Sequence, residues 1–503
     1  MNLKKYILIF AAATLFNSCS RDDDPTPAPN PDPVNTPARP NDFVWKALNS
    51  WYYWQKDVPT LADNYFKTPA QYASFVNAKK PDDLFFSLLY DYPQKDRFSW
   101  IVPDYKELIA QFNGVSKSSG MNISLYLKDS GNVNVVAIIN YIVPNSPASA
   151  AGLKRGDVIS AVNGAPMTVN NYTALFSDQF SVTIAQNVAV AATGITTSGA
   201  AKTANLQAVV LEENPVAYYE TKKFGDKNIG YLVYNGFQSN YNDELNAAFG
   251  EMEKNNVTDL ILDLRYNGGG SVESAVALGQ MVTGQFTGSP YVILDFNEKH
   301  GQYDETDKLS DKVNTYNYTS AGSQNTGAVN INSLNLNRVY ILTSSGSASA
   351  SELTIQGLKA YINVTTIGAE TYGKFVGSIT LFDSPDSDYT DIDTRNMSHT
   401  WAMQPITFSY YNGKKEQNPL SGGLLPNYAF GPGDYFGKLK EFGDASGDAA
   451  LAKALELITG KTTGGKKTGT AYQPQLQFLG TNSTLTPFGS ELYLEHPGKY
   501  LKK

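Results

Sequence analysis

Between residues 215 and 436 short apolar strands alternate with amphipathic helices, and this alternation leaves few architectures open to the chain. Strands are expected over 229–234, 258–264, 339–343 and 364–368. Helices are expected over 240–254, 274–282 and 352–361. One more helix, 448–458, follows. A strand–helix order of this kind builds an α/β sheet, and ligands of such sheets gather at the carboxyl ends of the strands.

The flanking segments have different patterns. Residues 41–105 read as helical, with Phe43, Ala47, Trp51 and Val44, Leu48, Tyr52 recurring at i+4 and Asn41 or Asp42 available as a cap. The run Trp51-Tyr52-Tyr53-Trp54 reads as the core of a small helical domain rather than a ligand platform, because a few large aromatics fill a small core. Residues 116–208 read as short strands, including Gly156-Asp157-Val158-Ile159 through Asn163-Gly164, a hairpin-type turn. After Gly464-Gly465-Lys466-Lys467 the last forty residues are polar and weakly patterned, and carry no assignment.

Composition narrows the function classes. The chain of 503 residues has 40 Lys+Arg against 48 Asp+Glu, a net charge of −8 that argues against nucleic acid as the main partner. A single Cys excludes internal disulfides and cysteine-rich zinc sites, and the three His lie far apart, so neither a metal nor a cofactor is implied. That Cys follows a short apolar run, in Leu15-Phe16-Asn17-Ser18-Cys19, after Lys4 and Lys5. The arrangement resembles a bacterial lipobox, with Phe16 where Leu is more usual. It implies a signal peptide over 1–18, lipidation of Cys19 and a membrane anchor. Residues 19–40 are proline-rich, a stiff tether. Asp22-Asp23-Asp24 resembles the surface-export signal of Bacteroidetes lipoproteins. The expected location is the cell envelope, as an outer-membrane lipoprotein that is periplasmic or surface-exposed.

Two strand-to-helix junctions carry the candidate chemistry. The first is Asp263-Leu264-Arg265-Tyr266-Asn267-Gly268-Gly269-Gly270, where glycines permit a sharp turn and free backbone N–H groups. A dinucleotide fingerprint fails here, because Glu273 stands in place of its third glycine. The second is Thr343-Ser344-Ser345-Gly346-Ser347-Ala348-Ser349-Ala350-Ser351-Glu352. A helix N-terminus there offers orphan donors that suit a developing oxyanion; a serine-rich cap would look the same.

Two resemblances organise these observations. Asn145-Ser146-Pro147-Ala148 through Arg155-Gly156-Asp157-Val158-Ile159 resembles the core signature of a PDZ domain. This implies binding of an extended peptide at Gly120, Met121, Asn122 and Ile123, with Asn122 where Gly is common. The two junctions, with Ile229-Gly230-Tyr231, Glu370-Thr371-Tyr372-Gly373-Lys374, Gly423-Leu424-Leu425-Pro426-Asn427 and Asp96-Arg97-Phe98-Ser99-Trp100-Ile101, resemble the C-terminal processing, or tail-specific, serine peptidase family. The fold implied is multidomain α/β: a helical N-terminal domain over 41–115, a β-rich PDZ-like domain over 116–212, and a crotonase/ClpP-like α/β peptidase domain over 213–460. Residues 461–503 form an unassigned tail.

Carried over by motif, Ser349 matches the nucleophile and Lys374 the general base; Ser347 and Ser351 are rival hydroxyls. The interval from 349 to 374 is the one that family uses. A buried Lys can take the proton of a Ser hydroxyl only if a dry setting, here Tyr372, Phe375 and Val376, favours its neutral form. The oxyanion donors implied are Ala350 and either Gly269 or Gly270. Family members often place Gln four residues after the Lys, where it helps orient the amine; here that position is Ser378, a weaker orienting group. Where many members have Asp eleven residues after the Ser, this chain has Ala360. The Ser–Lys pair is expected within hydrogen-bond reach. The function implied is a serine endopeptidase acting on envelope or extracellular polypeptides, with a polypeptide substrate as partner. The alternatives are a non-catalytic binding lipoprotein that keeps the peptidase fold, and a surface glycan-binding lipoprotein.

Overall fold

The computed structural model describes residues 37–461, 476–485 and 489–495, apart from 130, 132, 192, 320 and 321. The signal peptide, Cys19 and most of the tether lie outside the described residues.

The expected alternation closes into a six-stranded sheet. Its order is Val216–Phe224, Lys227–Tyr234, Asp259–Asp263, Arg338–Thr343, Asn363–Gly368 and Tyr428–Ala429. From Lys227–Tyr234 onward every pairing is parallel. Parallel strands covered on both faces must be apolar throughout, and Asp259–Asp263 is buried at all five positions. Helices Asn242–Lys254, Val272–Thr283, Ala350–Lys359 and Ala449–Thr459 supply the crossovers and the cover.

A second six-stranded sheet runs Gly270–Ser271, Leu492–Leu494, Val376–Ile379, Ile406–Asn412, Pro290–Phe296 and Glu305–Lys308. None of its six strands is among the elements read from the sequence. The strand Leu492–Leu494 comes from the unassigned tail and pairs in parallel with Gly270–Ser271 on one side and Val376–Ile379 on the other.

The helices Arg39–Trp51, Pro69–Asn77 and Pro81–Ser87 form the N-terminal part. The first begins at Arg39 with Ala38 as its cap and Pro40 in its first turn, so Asn41 and Asp42 sit inside the helix rather than capping it. Phe43, Leu48, Trp51 and Tyr52 share one continuous apolar core with Leu262, Leu353, Phe408 and Leu492 of the peptidase portion. Trp51 and Tyr52 are buried, as core residues must be.

The PDZ-like region is an antiparallel sheet ordered Phe478–Thr481, Met121–Leu127, Val135–Ile142, Val158–Val162, Gln179–Ala191 and Gly194–Gln207, with its own core around Leu125, Ile139 and Val182. Gly120 turns into its strand at φ +84°, and a Cβ there would lie 2.1 Å from that of Ser146, so only glycine fits.

Candidate active site

Strand Arg338–Thr343 delivers the chain to a tight turn whose last residue is Ser349, and helix Ala350–Lys359 starts directly after it. Ser349 has φ +63° and ψ −113°, a conformation that L-residues adopt only when their surroundings impose it. The surroundings are visible. The N–H of Ser349 donates to Glu352 Oε2 at 2.8 Å. Glu352 also accepts from Thr371 Oγ1 at 2.5 Å, from Gly373 N at 2.8 Å and from Lys374 N at 2.9 Å. One carboxylate thus ties the Ser349 turn to the loop that carries Lys374. Burial pushes the Glu352 carboxyl up, and the hydrogen bonds from Thr371, Lys374, Ser349 and Gly373 pull it back.

The three serines of the motif separate cleanly. Ser347 Oγ donates to Leu264 O at 2.8 Å and Ser351 Oγ to Asn267 O at 3.0 Å. Ser349 Oγ is buried with no hydrogen-bond partner among the described residues. Both rivals are fixed to the backbone, while Ser349 alone keeps an uncommitted hydroxyl. Such an orphan is costly in a purely structural role.

The donors around it are also distinct. Ala350 opens the helix, so its N–H belongs to the orphan set of a helix N-terminus. Gly269 N donates to Asn267 Oδ1 at 2.9 Å, which commits it to the turn and removes it as an oxyanion donor. Gly269 matters instead for its missing side chain. At φ +117° a Cβ would sit 2.6 Å from Ser349 Cβ and 2.3 Å from Glu491 O. Gly270 N is the other candidate donor, and it reaches Glu491 O at 2.5 Å.

Lys374 departs from the expected geometry. Its side chain is fully buried, yet Nζ donates to Ser490 O at 2.7 Å and to Glu491 Oε2 at 2.8 Å, and makes no hydrogen bond to Ser349 Oγ. The tail has taken the place the hydroxyl was expected to occupy. The dry wall differs too. Phe98 lies 5.1 Å from Nζ, and Tyr372 packs on Phe98, while Phe375 and Val376 are only half-buried. Ser378 does not reach the amine: its Oγ donates to Leu492 O at 3.2 Å and accepts from Gln404 Nε2 at 3.0 Å.

At the PDZ edge, Ile123 N donates to Asn482 Oδ1 at 2.7 Å and Met121 O accepts from Asn482 Nδ2 at 3.0 Å. Asn122 turns the other way, with its Oδ1 accepting from Asn140 at 2.8 Å. A cleft of about 790 Å³ joins Gly120, Met121, Asn122 and Ile123 to Gly269 and Gly270.

With this geometry in hand, the comparisons with known proteins are informative. Residues 228–404 match the model of peptidase family S41, 39–100 that of the peptidase S41 N-terminal domain, and 138–183 that of a PDZ domain. Residues 228–404 thus carry a peptidase family S41 domain. Among S41 relatives the chain is 28% identical over 229 residues to the “Probable CtpA-like serine protease” of Staphylococcus saprophyticus, covering 46% of this chain and 40% of that one. It is 24% identical over 286 residues to the carboxyl-terminal-processing protease of Picosynechococcus, covering 56% and 60%. The chain thus spans under two thirds of the length of these curated relatives. A crystal structure of an S41 protease from Bacteroides fragilis shares the fold, with a TM-score of 0.62 at 23% identity, covering 86% of this chain and 99% of that one.

Three contributors to this S41 site escaped the sequence reading. Glu352 was visible only as the end of a motif. Asn267, which orders the glycine turn, looked like a turn residue. Glu491 lay in a segment with no pattern to read.

Proposed function

We propose that this chain is a serine endopeptidase in which Ser349 and Lys374 form the catalytic dyad. The observation that carries the reading is the buried, unpartnered hydroxyl of Ser349, held at a positive φ at a helix N-terminus, with the Glu352 carboxylate tying its turn to the loop that carries a fully buried amine. In the first step Ser349 Oγ bonds to the substrate carbonyl carbon while its proton passes to the Lys374 amine. The N–H groups of Ala350 and Gly270 receive the oxyanion. The C–N bond then breaks as the leaving amine takes the proton from Lys374. Water then bonds to the acyl carbon while its proton passes to the Lys374 amine, the C–Oγ bond breaks, and Lys374 returns that proton to Ser349 Oγ as the acid leaves. No cofactor or metal enters these steps.

The substrate class proposed is extended polypeptide of the envelope or exterior, added as a strand at Met121–Leu127. The lipobox resemblance at Cys19 supports a lipid-anchored location at the outer membrane, periplasmic or surface-exposed.

One observation favours a second reading, a non-catalytic peptide-binding lipoprotein: the Ser349–Lys374 hydrogen bond is unmade. Both are tested on the full chain with an unfolded protein substrate and a fluorophosphonate probe. Ser349→Ala and Lys374→Ala are expected to lower cleavage by about 10³-fold or more, and Ser349→Ala to abolish labelling. Equal and measurable cleavage by wild type and both variants, or no labelling of Ser349 in any form of the chain, overturns the peptidase reading.

A further inference from the structure

We propose that residues 476–485 and 489–495 act as a built-in pseudosubstrate that holds the chain latent by occupying both the PDZ groove and the donors around Ser349 and Lys374. This inference rests on the peptidase reading and adds its regulation.

The segment does at each site what an extended polypeptide ligand does. In the groove, Phe478–Thr481 adds antiparallel to Met121–Leu127, pairing Phe478 with Tyr126 and Thr481 with Ser124. Leu127 N donates to Gln477 O at 2.9 Å, and the Asn482 amide continues the ladder by taking Ile123 N and Met121 O with its side chain. The exposed edge of the PDZ sheet is thereby consumed.

Nine residues on, the same segment enters the cleft. Glu491 O sits on Gly270 N, a donor an oxyanion would use. Ser490 O and Glu491 Oε2 take two of the three Lys374 donors, and Trp100 Nε1 holds Glu491 Oε1 at 2.8 Å. Held by these two acceptors and without a bond to Ser349 Oγ, the amine is not placed to take the hydroxyl's proton. Leu492 and Leu494 then anchor the segment in the main core, and Tyr493 stacks on Phe112 with ring centroids 4.1 Å apart. A glutamate where the base must act explains how a peptide can lie in the cleft without being cut. Because the occupant is tethered, its effective concentration is high, and a free polypeptide must displace it to reach the dyad.

The test compares full-length wild type with Glu491→Gln, with Asn482→Ala at the groove, and with the double variant. Each is assayed for hydrolysis of an unfolded protein, with Ser349→Ala in each background as the control. Hydrolysis is expected to rise at least about tenfold in the double variant, and a synthetic peptide of residues 476–495 added in excess to bring it back down. Amide exchange at 121–127 and 270–271, read on the same samples, is expected to be slow in wild type and faster in the variants. Wild type turning over as fast as the variants, with Ser349→Ala silencing all of them, overturns latency and leaves the peptidase reading standing. Exchange equally fast in wild type and variants overturns the occupancy whatever the turnover. Absence of turnover and of Ser349 labelling in every folded sample counts against the peptidase reading, and exchange then decides where the segment sits.

Discussion

At the scale of single residues the site is organised by Glu352. Its carboxylate holds the N–H of Ser349 on one side and the N–H groups of Gly373 and Lys374 on the other, with Thr371 closing the set. Removing it leaves three buried N–H donors without an acceptor, and each such group costs desolvation that nothing returns. Glu352→Ala is therefore expected to lower stability by about 3 kcal/mol in urea unfolding. Glu352→Gln, which keeps one acceptor oxygen, should fold more stably but lose about 10²-fold in kcat with KM little changed, since a misplaced nucleophile costs rate more than binding. Thermal melts and steady-state kinetics on the pair separate positioning from mere support. Its contribution was not legible beforehand because a Glu three residues into a helix looks like any N-terminal capping residue.

At the scale of elements the tail strand Leu492–Leu494 is decisive. It inserts between Gly270–Ser271 and Val376–Ile379 and so fills the gap between the two halves of the site. Just after it, Glu495 accepts from Ser239 Oγ at 2.5 Å and from Ser271 Oγ at 2.8 Å. Burial pushes the Glu495 carboxyl up to about 7; the charge of nearby Glu273 adds to this, and the hydroxyls of Ser239 and Ser271 oppose it. A carboxyl raised in the seated state is favoured there in its protonated form. Its contribution to seating is full below the ordinary carboxylate range and is lost as the pH rises through about 7. Amide exchange at residues 270–271 is therefore expected to quicken, relative to a Glu495→Gln variant, between about pH 4.5 and about pH 7, and to level off above it. An unchanged difference across that window would contradict this reading.

At the scale of the whole molecule, PDZ and peptidase portions are joined through buried charge. Arg155, from the PDZ signature, donates to Tyr266 Oη at 2.7 Å and Asp448 Oδ2 at 3.3 Å, and also to the Asn140 carbonyl. Asp448 in turn pairs with Arg265 at 2.7 Å, and Arg265 with Asp263 at 2.6 Å. The arginines pull Asp448 below the usual carboxylate range despite its burial. This network runs from the PDZ-like sheet to the strand that ends in the glycine turn. Arg155→Ala leaves Asp448 with one arginine, and is expected to cost about 3 kcal/mol. It should also broaden or split the unfolding transition as the PDZ portion loses its seat, measured by calorimetry.

What the sequence determined by itself was local. Apolar runs such as 258–264 and 339–343 announce buried strands because hydrophobic spacing is written within a few residues, and the motif around Ser349 carried its own helix start. The tertiary structure alone decided the rest. Leu492 meets Gly270 and Tyr493 meets Ser378, partners far away in the chain, and three-residue strands carry too little pattern to reveal such pairings. So the sequence singled out Ser349 and Lys374 as candidates, while only the fold revealed the glutamate that lies on Lys374, because that contact is made across the sheet and not along the chain.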